Sequence, residues 1–247
     1  MDTTNTKSWY TTWFDSPYYH ILYKDRNYDE ARFFLDNLLA YLHPKPHYTI
    51  LDLACGKGRH AVYLNSRGFE VTGVDLSAQN IDAAKLHEND NLHFFVHDMR
   101  EVFRPESFDF VLNLFTSFGY FEEETDNIIA LRAAAESVKH GGKLVIDFMN
   151  SDYALQNLVA HEQKEVEGIT FDISRKLQNG FIVKTINFTD KGQGFSFEER
   201  VRALTYDDFM EYFSMAGLRL ADVFGNYKLE PFDPKTCERM IFVLKKY

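Results

Sequence analysis

The chain has 247 residues, of which 45% are hydrophobic and 26% are charged, so it can build one α/β domain with a full core. Its net charge of −10 argues against non-specific binding to nucleic acid, which depends on neutralising phosphates with Lys and Arg. Two cysteines cannot form a disulfide framework, and no signal peptide or membrane-spanning apolar run is visible. We therefore expect a cytoplasmic protein, one domain over residues 1–247, without nucleic-acid or membrane partners.

The N-terminal segment, residues 1–45, is predicted to be helical and is rich in aromatic side chains. Tryptophans and tyrosines alternate with His20 and Arg26, and apolar residues recur at helical spacing from Asp29 to Leu42. The rings either pack this segment on the domain or form a lid, because aromatic rings can cover a planar or cationic ligand group without hydrogen bonds. Both interpretations stay open at this point.

Residues 49–75 have the pattern of a β-turn-α-β unit. An apolar run ends at Leu53, the small turn Ala54-Cys55-Gly56-Lys57-Gly58 follows, and a second apolar strand ends on the carboxylate of Asp75. Proteins use this layout to hold a nucleoside-bearing cofactor at the carboxyl end of the strands.

The turn distinguishes three kinds of nucleotide site. A P-loop requires Ser or Thr after Gly-Lys, and Gly58 stands there instead. A dinucleotide site requires three glycines, whereas here Ala54 takes the first position and Arg59 the third, where its bulk would keep the helix from the strand. Nicotinamide binding is therefore disfavoured, and a cofactor without a pyrophosphate, which needs only close backbone approach, is favoured.

Strand and helix patterns alternate after Asp75, which predicts an open parallel sheet. Ser77 is placed to cap a helix that runs to about Glu88. The next predicted strands are Leu92–Val96, Phe108–Asn113 and Lys143–Asp147. Asp98 follows the third strand and can accept a hydrogen bond from an exocyclic adenine amine, as Asp75 can from ribose hydroxyls. The two acids describe a nucleoside that lies across the sheet edge.

Between Val166 and Ala203, apolar and polar residues alternate with a period of two. The turn signals Asn179-Gly180 and Asp190-Lys191-Gly192 divide this stretch, which predicts three or four antiparallel strands. We interpret residues 149–203 as a ribbon inserted on the substrate side. A helix from Thr205 and two strands, Leu218–Phe224 and Met240–Leu244, complete the predicted elements.

Three motifs together resemble the class I S-adenosylmethionine-dependent methyltransferases. They are Leu51-Asp-Leu-Ala-Cys-Gly-Lys-Gly58, Gly73-Val-Asp75 and His97-Asp-Met-Arg100, and the resemblance covers roughly Tyr48 to Asp147. It implies S-adenosylmethionine as cofactor. It also implies a Rossmann-like, mostly parallel, seven-stranded sheet in the order 3-2-1-4-5-7-6, with the last strand antiparallel.

The resemblance implies a role for each cofactor residue by position. The methionine and ribose side would be lined by Asp52, Ala54, Cys55, Gly56 and Gly58. Asp75 would bind the ribose hydroxyls, and the residues on the adenine would be Leu76, Asp98 and Met99. Asn113 and Leu114 would lie under the methionine moiety. In related small-molecule enzymes an N-terminal aromatic segment closes over the cofactor, and Tyr19, Tyr23 and Arg26 match that segment by position.

The loop Phe115-Thr-Ser-Phe-Gly-Tyr120 resembles that of small-molecule N-methyltransferases, including amino-sugar enzymes, and it lacks the Pro-Pro pair of DNA amino-methylases. The resemblance implies a small-molecule acceptor, with nitrogen preferred over oxygen. A His stands at the position of Tyr120 in the amino-sugar group, and a phenol with a pKa of ~10 is a poor base near neutral pH. Tyr120 therefore either orients the acceptor or only packs.

Three histidines and a second class of function offer alternatives to this interpretation. His20, among the N-terminal aromatic residues, is the second candidate for the active site. His93 and His97 share a strand face without a third ligand, so we expect no metal site. The alternative function is a non-catalytic protein that binds S-adenosylmethionine as a sensor or partner subunit. Monomer and homodimer both stay open.

Overall fold

The computed structural model describes residues 9–24 and 28–246. These residues form two compact units. The first contains two N-terminal helices and a four-stranded sheet, and the second contains a seven-stranded sheet with the other helices. The chain passes from one unit to the other between Ala154 and Leu155 and again between Ala203 and Leu204.

The helices in the described part of the chain are α1 (Trp9–Phe14), α2 (Pro17–Leu22), α3 (Tyr28–Leu42), α4 (Arg59–Ser66), α5 (Ala78–Ala84), α6 (Glu124–Ser137), α7 (Ser151–Gln156) and α8 (Tyr206–Met215). The strands are β1 (Thr49–Leu53), β2 (Glu70–Asp75), β3 (Leu92–Val96), β4 (Phe108–Asn113), β5 (Val138–Met149), β6 (His161–Val166), β7 (Ile169–Gln178), β8 (Phe181–Asp190), β9 (Gln193–Arg202), β10 (Leu218–Phe224) and β11 (Arg239–Lys246). Over residues 9–24 and 28–246, none of the helices is long and apolar enough to cross a bilayer.

The large sheet confirms the predicted strand order. Its strands run β3-β2-β1-β4-β5-β11-β10, with β1 to β5 parallel and β11 antiparallel to both of its neighbours. The strand order reverses between β1 and β4, and ligands bind at such a switch point beyond the carboxyl ends of the strands. This arrangement places the ends of β1, β2 and β4 at one edge of the sheet.

Two elements of this unit differ from their predicted lengths. Ser77 caps α5 by accepting the N–H of Asn80 at 3.0 Å, as expected, but the helix ends at Ala84 and a 3-10 turn, Lys85–His87, follows. Strand β5 begins at Val138 rather than Lys143, because α6 leads directly into it and Val138 pairs with Phe108 across a register shift. The predicted cap at Thr205 is present as a full capping box with Asp208.

The inserted segment folds as a four-stranded antiparallel sheet in the order β6-β7-β8-β9. It begins at His161, before the stretch of period-two alternation, because β6 is largely exposed and shows little apolar alternation. Ile169, Phe171 and Ile173 are buried on one face, as their spacing predicts. At the first hairpin, Asn179 and Gly180 both have positive φ angles, 52° and 77°, which suits the tight turn that Asn-Gly favours.

The N-terminal aromatic helices α1 and α2 belong to the same unit as this sheet. Trp13 is 0% exposed, and its ring lies 4.6 Å from that of Phe197. Tyr18 lies between Phe188 and Phe195, with centroid distances of 4.6 and 4.7 Å. Aromatic contacts of this kind add to the stabilisation from burial, so these rings pack on the four-stranded sheet, and the lid interpretation of the segment stays a prediction.

Candidate functional site

The turn between β1 and α4 is built from residues in the left-handed region. Ala54, Gly56 and Gly58 have φ angles of 65°, 56° and 81°. A Cβ on Gly58 would lie 2.6 Å from the ring of Phe94, whereas a Cβ on Gly56 would meet no atom within 4 Å. Gly58 is therefore required by the packing beneath the turn, and Gly56 leaves open space above it for close approach of a ligand.

Asp75 fixes the tip of β2 against this turn. Its Oδ2 accepts the N–H of Gly56 at 2.8 Å, and its Oδ1 accepts the N–H of Ser77 at 2.9 Å. A carboxylate accepts hydrogen bonds at about four positions, and ribose hydroxyls are donors of the kind that it accepts. The side chain of Leu76 is 40% exposed beside it, as a residue that packs on a planar ring would be.

Asp52 and Cys55 lie beneath the turn rather than on its surface. Asp52 is 2% exposed and accepts the N–H of Ala61, at the start of α4, at 3.1 Å. Burial raises the pKa of Asp52 to about 7; the charge of Asp75 adds to this effect, while the Ala61 N–H and the charge of Arg59 oppose it. Burial also raises the pKa of the Cys55 thiol, with Asp52 and Asp75 adding to the effect. These residues shape the turn from below.

Arg59 does not hold α4 away from the sheet. Ala61 and Leu64 of α4 are fully buried, and the guanidinium of Arg59 lies over the rings of Tyr28 and Phe115, at 5.7 and 4.9 Å. His60 stacks on the same Phe115 ring at 4.9 Å. Cation–π contacts accommodate the bulk of Arg59. The prediction that this bulk keeps the helix from the strand is therefore wrong.

Asp98, after β3, is held by an arginine that the sequence analysis did not select. Arg100 contacts the Oδ2 of Asp98 at 2.6 Å and that of Asp126 at 2.9 Å. Burial opposes ionisation of Asp98, but the hydrogen bonds and charge of Arg100 outweigh it and lower the pKa. Asp98 is therefore a firmly ionised acceptor with a fixed orientation, which suits the predicted contact with an adenine amine.

Asn113 joins the end of β4 to the end of β1. Its Nδ2 donates to the carbonyl of Leu53 at 3.1 Å and, more weakly, to that of Ser117 at 3.4 Å. Its Oδ1 is buried and has no hydrogen-bond partner among residues 9–24 and 28–246. Leu53, Met99 and Asn113 line one small cavity, and Leu114 is buried. The structure thus brings together residues of three strand ends that the sequence assigned to one site.

The loop between β4 and α6, residues 114–123, begins with two strained residues. Phe115 and Thr116 have φ angles of 56° and 59°, a conformation that costs residues with a Cβ about 1–2 kcal/mol each. The Oδ2 of Asp147 accepts the N–H of Phe115 at 2.8 Å, and its backbone carbonyl accepts the N–H of Thr116 at 2.9 Å. The hydroxyl of Tyr120 donates to the carbonyl of Thr116 and so closes the loop.

Asp147 itself is paired with an arginine from β11. Asp147 is 0% exposed, Arg239 donates to its Oδ1 from Nε at 2.8 Å, and the Nη2 of Arg239 lies 2.7 Å from the same oxygen. Burial works against the charge of Arg239, but Asp147 and Tyr227 outweigh it and raise the pKa of the guanidinium. The guanidinium of Arg239 therefore stays charged. Asp147 was visible in the sequence as an acid at a strand tip, whereas nothing in the sequence pairs it with Arg239.

The predicted residues of the N-terminal segment lie in the other unit, except Arg26, which is outside the described residues. The hydroxyl of Tyr23 donates to Glu199 at 2.6 Å, and Trp13 donates to the same oxygen at 2.7 Å. The Tyr19 ring contacts those of Tyr23 and His20 edge-on, at 4.9 and 5.3 Å. Their contact with a cofactor stays a prediction.

Comparison with known proteins agrees with this architecture. A family model for a methyltransferase domain matches residues 50–142. A protein of Geobacillus sp. (strain WCH70), named as a provisional methyltransferase, is 27% identical over 93% of this chain and 97% of its own. The fold is that of a crystallised S-adenosylmethionine-dependent methyltransferase from Clostridium acetobutylicum, with a TM-score of 0.78, 20% identity, and coverage of 93% and 96% of the two chains.

A second solved structure bears on the acceptor. It is an S-adenosylmethionine-bound amino pentose methyltransferase from Micromonospora echinaspora, with a TM-score of 0.70, 21% identity, and coverage of 94% of this chain and 98% of its own. Sheet order, motif and relatives together define a Rossmann-like methyltransferase. Residues 50–142 match a methyltransferase domain, and the chain has the fold of S-adenosylmethionine-dependent methyltransferases.

Proposed function

We propose that this methyltransferase methylates a nitrogen atom of a small molecule that binds at the β4–α6 loop. The observation that carries the proposal is the start of this loop, where Phe115 and Thr116, which follow Asn113 and Leu114, are held in the left-handed region. Strained residues persist where the surrounding structure fixes them, and they cluster at sites of function. The loop follows a strand end next to β1, which leads into the glycine turn.

The residues at the sheet edge fit S-adenosylmethionine as the cofactor. Gly56 leaves open space, the carboxylate of Asp75 is an acceptor beside the turn, and the Oδ1 of Asn113 is a buried acceptor that needs a donor. Ribose hydroxyls and an ammonium group are donors of the required kind. The cofactor supplies an activated methyl group on sulfur, and the residues of this chain bind and orient it.

Methyl transfer depends on the position of the acceptor atom relative to the methyl group. We assign Tyr120 an orienting role, because its hydroxyl already braces the loop at Thr116 and a phenol is a poor base near neutral pH, with a usual pKa of ~10. The second candidate, His20, lies on α2 beside Tyr19. Nitrogen is preferred because the loop resembles that of N-methyltransferases and because one structural neighbour acts on an amino pentose.

The proposal is tested with a panel of amino sugars, other small amines and hydroxylated compounds, with release of S-adenosylhomocysteine as the measured signal. We expect turnover with amines. Tyr120→Phe should lower the rate roughly tenfold, the equivalent of one neutral hydrogen bond, while His20→Ala tests the other candidate under the same conditions. Turnover with hydroxylated compounds alone would overturn the nitrogen assignment, and methylation of macromolecules alone would overturn the small-molecule assignment.

A further inference from the structure

Four parts of the second unit meet at the start of the β4–α6 loop. Asp147 lies near the carboxyl end of β5, and Arg239 is the first residue of β11. Tyr227 lies between β10 and β11, and Phe115 and Thr116 belong to the loop itself. We propose that the Asp147–Arg239 pair positions this loop for methyl transfer. The inference rests on the proposed function, since it takes the loop to hold the acceptor.

Asp147 acts on the loop directly. Its side chain and its backbone carbonyl accept the N–H groups of two consecutive residues, Phe115 at 2.8 Å and Thr116 at 2.9 Å. Both of these residues are left-handed, and for a β-branched residue such as Thr116 this conformation is a genuine outlier. The loop would relax to a common conformation if these acceptors were lost, because nothing intrinsic to Phe or Thr favours the observed one.

Arg239 fixes Asp147 and contacts the loop at the same time. Its Nε donates to Oδ1 of Asp147 and its Nη2 forms an ion-pair contact with the same oxygen, while Oδ2 accepts the Phe115 N–H. The same Nη2 also donates to the hydroxyl of Thr116 at 3.0 Å. A planar guanidinium can make these contacts together, whereas the single ammonium of a lysine cannot reproduce the fork.

Tyr227 covers the pair with an aromatic ring. The ring lies 5.6 Å from the guanidinium carbon of Arg239, stacks on Phe34 at 4.6 Å and contacts Phe115 at 5.2 Å. Asp147 is fully buried and the side chain of Arg239 is only 19% exposed, which strengthens the electrostatic interaction of the pair and makes loss of either partner costly. The network joins β5, β11 and α3 to one short stretch of loop.

The chain offers a matched control on the same two central strands. Asp109 of β4 and Lys139 of β5 form an ion pair of 2.8 Å at the amino ends of these strands, whereas Asp147 and the β4–α6 loop lie at their carboxyl ends. Asp109 also accepts a backbone N–H, that of Thr49 at 2.9 Å, as Asp147 does that of Phe115. Asp109→Asn therefore shows how the loss of another ion pair between the same two strands changes the stability of the protein.

The test compares Arg239→Lys, Arg239→Met and Asp109→Asn in the full chain. Three quantities are measured: transfer of label from methyl-labelled S-adenosylmethionine to the small-molecule fraction of a cell extract, S-adenosylhomocysteine affinity by calorimetry, and amide hydrogen exchange of residues 114–123. We expect both Arg239 variants to lose roughly 10- to 100-fold in transfer rate, with unchanged affinity and faster exchange in the loop. Asp109→Asn should lower Tm and keep the wild-type transfer rate.

Several results would overturn the inference. Wild-type transfer rates in both Arg239 variants, or a fall in rate that merely follows lost S-adenosylhomocysteine affinity, would contradict a positioning role. If the wild type labels no small molecule, the proposed function fails. Amide hydrogen exchange of residues 114–123 then tests separately whether the ion pair holds the loop: unchanged exchange in Arg239→Met refutes the inference, and faster exchange supports it. Thr116→Val, which keeps the ion pair and removes one acceptor of Arg239, replaces Arg239→Met if that variant does not fold.

Discussion

Replacing Asp75 tests the cofactor site most sharply among the single substitutions. Its Oδ2 accepts the N–H of Gly56 in the turn and its Oδ1 accepts the N–H of Ser77, and we assign the two ribose hydroxyls to this carboxylate. A hydrogen bond to a charged group contributes about 1.5–3 kcal/mol, and two of them correspond to a loss of roughly 10²- to 10⁴-fold in affinity. Asp75→Ala should therefore abolish most S-adenosylhomocysteine binding, and Asp75→Asn should lose less.

Calorimetry with S-adenosylhomocysteine measures this loss, and Tm shows whether the variant is folded. Asp75→Ala also removes the acceptors of the Gly56 and Ser77 N–H groups, so some fall in Tm is expected. Asp82→Asn is the control, because it changes an exposed carboxylate on α5. A folded Asp75→Ala variant with wild-type affinity would refute the assignment of the ribose hydroxyls to Asp75.

Three further predictions concern the turn, a buried acid and the N-terminal helices. Gly58→Ala should lower the free energy of unfolding by about 2–4 kcal/mol, since it combines a positive φ with a 2.6 Å contact to Phe94. Gly56→Ala should lower it by about 1 kcal/mol in urea denaturation and mainly weaken S-adenosylhomocysteine binding. Equal losses of stability in the two variants would contradict the different roles of these glycines. The pKa of Asp52 is raised from 3.8 to about 7 in the fold, so the folded state binds the proton more tightly and stability falls as pH rises between these values. Asp52→Asn should flatten this decline. Parallel stability–pH profiles of the wild type and the variant would refute the raised pKa of Asp52. Glu199→Gln removes a charged acceptor shared by Trp13 and Tyr23 and should lower Tm and shift Trp fluorescence, whereas an unaltered spectrum and Tm would show that the contacts contribute nothing.

The sequence predicted the sheet well because its signals there are local. Apolar runs, small turns and acids at strand tips identified β1 to β4, and the order of all seven strands in the second unit agrees with the family resemblance. The Asn179-Gly180 and Lys191-Gly192 turns likewise depend on residues next to each other, and both pairs have positive φ angles. Patterns within a few residues thus determined most of the architecture.

Contacts between distant residues were beyond the reach of these patterns. Arg239 lies 92 positions from Asp147 and 123 from Thr116, so no spacing rule links them. Arg100 stood within a recognised motif, yet its pairing with both Asp98 and Asp126 depends on where α6 begins. The extent of β5 was underestimated because Gly141 and Gly142 indicate a turn, although the chain continues there as a strand.

Methyl transfer from S-adenosylmethionine to a small molecule is the reaction that we propose for this protein. The most direct measurement incubates the full chain with methyl-labelled S-adenosylmethionine and a cell extract, and then separates small molecules from macromolecules before counting label. We predict label in a discrete small-molecule fraction with the wild type and almost none with Asp75→Ala. Label confined to macromolecules, or equal labelling by the two proteins, would contradict the claim.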